Sequence, residues 1–180
     1  MPAEPPLRSI MSAGDVEGRF TIYDARGNLV PNPGESILKT VTGWDMSAQS
    51  PWRRWLPRLF FLGFGKPVSS RLYVTTMRIV LIRDIDPGRE LAGEMTPLGM
   101  PNAVARAVEL KRLGAAGFRQ FCEVHPAALS LSRVRRSRKG VTWLGLDLVG
   151  EDGAKYTLSY WKTDGEDLET LALLESRFSK

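Results

Sequence analysis

Residues 51–66 hold the side chains of this sequence that are best suited to bind a charged surface. The segment reads PWRRWLPRLFFLGFGK and carries four cations and no acidic residue. Tryptophan prefers a membrane–water interface, because its ring is apolar and its N–H is polar. An arginine near an anionic lipid surface contributes about 1 kcal/mol. The cations are Arg53, Arg54, Arg58 and Lys66, and the aromatic side chains expected to insert are Trp52, Trp55, Phe60 and Phe61.

This basic-aromatic segment (residues 51–66) is open to three interpretations. Its apolar side chains could pack on the wall of their own domain and leave the arginines in solvent. The segment could instead bind a lipid surface, or dock into a groove on a protein partner. Four cations without an acid favour lipid, whereas the apolar run at 59–62 favours a protein groove.

A second cluster of cations, the arginine-rich segment (residues 132–140), lies between two predicted strands. It is either a solubilising charge cluster that protects a sheet edge or an anion site for the phosphates of lipid or nucleic acid. No aromatic residue is interleaved among its cations, which disfavours nucleic acid as a partner. The five cations are Arg133, Arg135, Arg136, Arg138 and Lys139.

The residue types needed for catalysis are few. The chain has one cysteine, Cys122, and one histidine, His125, and in a strand this spacing directs the two side chains to opposite faces. No Gly-x-Ser-x-Gly motif is present to supply a serine nucleophile. We therefore expect no enzymatic activity and no catalytic residue.

Cofactor and metal sites are equally poorly supported. The sequence Gly63-Phe-Gly-Lys66 fails the phosphate-loop pattern, because Phe60 stands where a glycine is needed and Pro67 replaces the serine or threonine. Asp84 and Asp86 share one side of a strand end but have no third ligand. The sequence predicts neither a cofactor nor a metal.

The composition is that of one ordinary folded domain. The 180 residues are 43% hydrophobic and 25% charged, with a net charge of +5. There is no apolar run long enough for a transmembrane helix and no secretory leader, so we expect a cytoplasmic protein. Pro- and Gly-rich residues 1–18 are expected to form a mobile arm, and residues 19–33 a short hairpin or extension that turns at Gly27.

The rest of the chain predicts strands interrupted by one helix and closed by another. The inserted helix spans Pro101 to Leu113, with proline at its start and Gly114 after its end. The last helix spans Asp164 to Phe178. An apolar stripe at helical spacing marks its buried side and consists of Leu168, Leu171, Leu174 and Phe178.

Three groups of residues resemble a known superfamily. Gly34-Glu35 precedes the first predicted strand, the run RLYVTTMRIVLI spans residues 71–82, and Lys155-Tyr-Thr-Leu158 follows a turn at Gly153. Together with the final helix, these features resemble the pleckstrin-homology-like superfamily, in particular GRAM and bacterial PH-like domains.

The resemblance implies an α+β, mostly β fold. It is a partly open barrel of about seven antiparallel strands, with a C-terminal capping helix and a helix inserted between strands three and four. A single domain would span residues 34–180, with insertions at about 46–70 and 86–117. The connections after strands one and three would lie at the same open end, and the arginine-rich segment at the opposite end.

The resemblance also implies a function, since many family members bind phosphoinositide headgroups or membrane surfaces. We expect a non-catalytic recognition module that binds an anionic membrane surface through the basic-aromatic segment. Lys39 and Arg71 would add cations near the base of that loop. The alternative is a protein-interaction or assembly domain that uses the same loop against another protein or a second copy. The lipid hypothesis places the protein on the inner membrane face.

Overall fold

The computed structural model describes residues 7–8, 20–48, 70–85, 100–136, 144–151, 153–160 and 166–179. Their strands form two antiparallel sheets, and no closed barrel is formed within these ranges. Sheet I has the order β1-β6-β5-β4-β2 and sheet II the order β3-β9-β8-β7. The strands are β1 Leu7–Arg8, β2 Ile37–Thr42, β3 Trp44–Ala48, β4 Ser70–Thr75, β5 Ile79–Asp84, β6 Arg119–Val124, β7 Leu129–Arg135, β8 Leu144–Gly150 and β9 Lys155–Tyr160, and the helices are α1 Met100–Ala115 and α2 Glu166–Phe178.

Alternation along the strands builds the main core between the two sheets. Leu72 and Leu81 of sheet I are buried toward Leu146 and Leu158 of sheet II. Strand alternation places every second side chain on this inner face. Helix α2 adds Leu171, Leu174 and Phe178 to the same core, whereas Leu168, expected in that apolar stripe, is 58% exposed.

A smaller core lies on the outer face of sheet I. Tyr23 and Leu29 form a single β-bridge, and they are buried against Val80 and Ile82. Gly27 turns the chain between them with φ of 76°, a conformation that favours glycine. The predicted hairpin is therefore present, and it covers a sheet face that would otherwise expose apolar side chains.

The two sheets share one bent strand, which consists of β2 and β3. Gly43, with φ of 87°, separates β2 of sheet I from β3 of sheet II. A short 3-10 turn, Pro126–Ala128, makes the second passage between the sheets, from β6 to β7. In place of the expected seven strands, the described residues form nine strand segments, because Gly43 divides the first strand and Leu7–Arg8 adds a short strand on the edge of β6.

The expected mostly β, antiparallel plan is confirmed, and the two helices occupy the predicted places in the chain order. Helix α1 lies between β5 and β6, and α2 follows β9. Strands β8 and β9 pair across the predicted turn at Gly153. Within the described ranges, no helix is long and apolar enough to cross a membrane.

Candidate functional site

The basic-aromatic segment lies outside the described residues, but the structure defines the strands that hold its two ends. The chain leaves β3 at Ala48, which pairs with Tyr156 beside the β8–β9 turn. It returns at Ser70, whose Oγ donates a 2.6 Å hydrogen bond to the carbonyl oxygen of Trp44. Gly43 N also donates to the Ser70 carbonyl, at 3.2 Å. Both ends of the segment are thus anchored in paired backbone.

The second long connection begins at the same end of sheet I. Ser70 pairs with Arg83, and Arg83 pairs with Gln120, so the return of the first connection lies beside the strand ends that flank α1. Sequence order alone did not establish this proximity. It follows from the antiparallel register of β4, β5 and β6.

Buried polar side chains line the inner face of sheet I at this end, which we call the polar end. Ser70, Arg83 and Gln120 are each at most 5% exposed. Arg83 Nε donates to Gln120 Oε1 at 2.9 Å, and its Nη1 lies 3.7 Å from Asp45 Oδ1. A buried, hydrogen-bonded arginine is held in one geometry, since leaving its donors unsatisfied would be costly. The polar end is therefore a rigid base for the two connections.

Arg71 and Lys39 are not brought together. Arg71 follows Ser70 near the polar end, on the outer face of sheet I, and donates to Asn28 Oδ1 at 2.7 Å. Lys39 pairs with Val74, while Arg71 pairs with Thr42, so alternation puts the two cations on opposite faces. The Lys39 ammonium instead forms an ion pair with Glu169 of α2. We therefore remove Lys39 from the set of cations expected at the base of the loop.

The described part of the arginine-rich segment is partly neutralised. Arg135 pairs with Asp147, and Arg136 pairs with Glu175 of α2 at 3.1 Å. Arg133 is exposed and forms no ion pair with a described residue. Arg138 and Lys139 lie outside the described ranges.

The two basic segments depart from different ends of sheet II. Ala48 pairs with Tyr156 near the β8–β9 turn, whereas Arg135 pairs with Gly145 at the other end of β8. Both segments continue from these points into residues that the structure does not describe. The first connection nevertheless returns at Ser70 beside Trp44, which is in register with Leu144 at the start of β8 through Tyr160. The expectation that the two segments lie at opposite ends therefore stays a prediction.

The densest charge cluster among the described residues was missed from sequence. Arg78 is 2% exposed and is held by two carboxylates on different elements. Its guanidinium donates to both Glu35 oxygens, at 3.0 to 3.2 Å, and to Glu123 Oε1 at 2.9 Å. Its Nη2 also donates to the Val30 carbonyl at 3.3 Å. Glu35 belongs to the Gly-Glu pair and Arg78 to the run at residues 71–82. Both residues were therefore part of the sequence motifs, but the contact between them was not predicted.

Hydrogen bonding decides the ionisation of this cluster. Burial by itself raises the pKa of the Glu35 carboxyl, but donors from Arg78, Thr75 and the Asn32 backbone outweigh it and lower the pKa below 4.5. Burial likewise opposes the charge on Arg78, yet its bonds to Glu35 and Glu123 raise the pKa of the guanidinium. Glu35 and Arg78 are therefore both charged at neutral pH, and their contact joins residues 30–35 to sheet I.

The remaining chemical candidates are separated in the fold. Cys122 is buried in the main core with its Sγ 3.7 Å from Met46 Sδ. His125 is about half exposed and contacts Glu123 through Nε2 at 3.2 Å. Asp84 forms an ion pair with Arg119 at 2.7 Å, and Asp86 lies outside the described residues. Within the described part of the chain, no group of three metal-ligating side chains converges.

The structure thus contains a rigid polar end, where the first long connection returns and where the strands that flank the second one lie side by side. The first connection is rich in cations and aromatic residues. Comparison of the chain with protein-family models, with curated proteins and with solved structures found no match.

Proposed function

We propose that this chain is a PH-like recognition module that binds an anionic membrane surface or a phosphoinositide-like headgroup and has no catalytic role. Its strand order supports the PH-like assignment: one bent strand is shared by two sheets, and a C-terminal helix follows the last strand. The contact between Glu35 and Arg78 supports it further, because it joins two of the motifs on which the resemblance rests.

One observation carries the functional proposal. The pairing of Ser70 with Arg83 and of Arg83 with Gln120 brings the end of the first connection next to the start of the second. Long connections on a rigid scaffold are frequent sites of recognition. The first connection contains four cations and two tryptophans, and these residue types suit an anionic lipid surface.

The proposed contacts divide into two kinds. Arg53, Arg54, Arg58 and Lys66 would pair with phosphates, and Trp52 and Trp55 would insert between lipids, assisted by Phe60 and Phe61. Four cations contribute at most about 4 kcal/mol, roughly a thousandfold in partitioning. Insertion of aromatic side chains would supply the rest. The protein would be peripheral on the cytoplasmic membrane face.

Co-sedimentation with vesicles tests this proposal. We expect binding to anionic vesicles but not to neutral ones, with a decrease at high salt because the charges are screened. Trp52→Ala/Trp55→Ala and Arg53→Glu/Arg54→Glu should both abolish binding. The control Lys111→Gln/Arg112→Gln removes two exposed cations of α1 and should leave binding unchanged. A failure of the wild type to bind any vesicle would refute the membrane proposal.

A different observation favours the alternative, a protein-interaction or assembly domain. Strand β2 forms an edge of sheet I, and Ile37, Leu38 and Met77 are each 42 to 49% exposed near that edge. Natural edge strands are usually protected by charge, and adjacent exposed apolar side chains are suited to a protein contact. Light scattering over a range of concentrations tests this alternative. A mass that rises with concentration, and that falls in Leu38→Lys/Met77→Lys, would support it.

A further inference from the structure

The outer face of sheet II presents a row of polar side chains across three strands. Arg133 of β7 is paired with Asp147 of β8, and Asp147 is paired with Thr157 of β9. Asp147 and Thr157 are both buried, although they lie on the face that points away from the main core. A buried carboxylate on a sheet face requires hydrogen-bond partners. The partners of Asp147 therefore show how the polar side chains on this face are arranged.

Asp147 is satisfied on both oxygens. Arg135 approaches Oδ2 through Nε at 2.8 Å and through Nη2 at 2.7 Å, and Thr157 Oγ1 donates to Oδ1 at 2.9 Å. Two donors from one guanidinium fix the plane of that group more firmly than a single bond would. Asp147 thus acts as a positioning residue that orients Arg135 on the outer face.

Two further cations on the same face have no acidic partner among the described residues. Arg133 and Lys155 are exposed. Lys155 lies two residues before Thr157 on β9, so alternation places it on the outer face as well. The pairing of β7 with β8 is irregular between Leu131 and Arg133. A shallow cavity of about 160 Å³ lies beside it, lined by Ser132, Arg133, Arg135, Asp147 and Lys155 among others.

We propose that this cavity is a binding site for a phosphate group. Three cations and one carboxylate line it, and the carboxylate is already engaged by Arg135 and Thr157. Arg133 and Lys155 supply the cations that are unpaired among the described residues, Arg135 is oriented in advance, and Ser132 provides a hydroxyl donor. Charge-assisted hydrogen bonds from such groups are stronger than neutral ones. The site as described contains none of residues 51–66, and it does not rest on the function proposed above.

Calorimetric titration tests the site with inorganic phosphate and glycerol phosphate as soluble probes. Phosphatidylcholine vesicles with and without phosphatidic acid provide the lipid-borne form of the same group. We expect Arg133→Gln/Lys155→Gln to reduce phosphate binding about tenfold or more, because two charged donors are removed. The matched control is Lys111→Gln/Arg112→Gln on α1, which removes the same charge from exposed positions and should retain wild-type binding.

The outcomes distinguish phosphate binding in this cavity from nonspecific attraction of anions to a basic protein, and from membrane binding through residues 51–66. Binding of the soluble probes identifies a free phosphate compound as the source, and binding of phosphatidic acid vesicles alone identifies a lipid. Arg133→Gln/Lys155→Gln must lose the binding of soluble phosphate, and Arg53→Glu/Arg54→Glu must retain it. Phosphatidic acid vesicles are tested in the Arg53→Glu/Arg54→Glu background, so that residues 51–66 do not contribute, and there the added Arg133→Gln/Lys155→Gln changes must abolish binding. Absence of binding to every probe, an unaffected Arg133→Gln/Lys155→Gln variant, or an equal loss in the α1 control would each overturn the proposal.

Discussion

At the scale of single residues, Arg78 is the side chain on which the described charge network depends. It is nearly inaccessible and joins Glu35, Glu123 and the Val30 carbonyl. These partners come from the segment before β2 and from β6, so one guanidinium connects distant parts of the chain. A buried ion pair need not stabilise a fold more than apolar side chains would, but removal of one partner leaves an uncompensated charge.

Arg78→Met should lower the free energy of unfolding by about 3 to 5 kcal/mol, because two buried carboxylates lose their cation. Urea denaturation at neutral pH measures this change. Arg71→Met provides the matched control, since Arg71 is only partly buried and donates to an exposed amide. We expect the control to cost less than about 1 kcal/mol. Equal losses in the two variants would contradict the role assigned to Arg78.

The stabilisation from Glu35 should depend on pH in a defined direction. Its pKa in the folded state is lowered from 4.5, so folding favours the ionised carboxylate. The stabilisation is therefore fully present above pH 4.5 and is lost as the pH falls through the lower, folded-state pKa. Unfolding free energies of wild type and Glu35→Gln, measured from pH 7 downward, should converge as the solution becomes acidic. A difference that stays constant over that range would contradict this account.

At the scale of elements, the bend at Gly43 connects the two sheets. The residue has φ of 87°, and a β-carbon there would lie 3.0 Å from the Tyr160 ring. A side chain would therefore meet both backbone strain and a steric contact. The Tyr160 ring in turn lies 5.4 Å from that of Trp44, so any displacement would reach the main core.

Gly43→Ala should be more destabilising than Gly153→Ala. Gly153 also has positive φ, 77°, but a β-carbon there would meet nothing within 4 Å. We expect about 1 to 2 kcal/mol from backbone strain in either variant, and an additional loss only at Gly43. Thermal or urea unfolding of both variants gives the comparison. A Gly153→Ala variant at least as unstable as Gly43→Ala would show that the Tyr160 contact is unimportant.

The elements themselves could largely be predicted from sequence, because alternation and helix-end signals are local. The β8–β9 turn and helices α1 and α2 follow from patterns within a few residues. The partners of individual side chains could not be predicted. Lys39 was expected to bind an anionic ligand, yet in the structure it forms an ion pair with Glu169, which lies 130 positions later in the chain. The burial of Arg78 could not be predicted, because nothing near it in the sequence indicates that Glu35 and Glu123 are its partners.

At the scale of the whole molecule, the strand register relates the two basic segments to sheet II. The basic-aromatic segment departs from β3 at Ala48, and the chain returns at Ser70, which is hydrogen-bonded to Trp44. Strand β8 begins at Leu144, in register with Trp44 through Tyr160, so the arginine-rich segment enters β8 at the end of sheet II to which the first connection returns. The net charge of +5 favours an anionic surface in general, and the proposed membrane contact adds aromatic insertion.

Quenching of tryptophan fluorescence by vesicles that carry a brominated lipid tests the central claim most directly. A residue that inserts between lipids is quenched, whereas one that docks on protein is not. We expect anionic vesicles to quench the wild type and to quench Trp52→Phe/Trp55→Phe much less. Three tryptophans, Trp44, Trp143 and Trp161, remain in that variant, and Trp44 is fully buried. Equal quenching in the two proteins, or none in the wild type, would contradict membrane binding through residues 51–66.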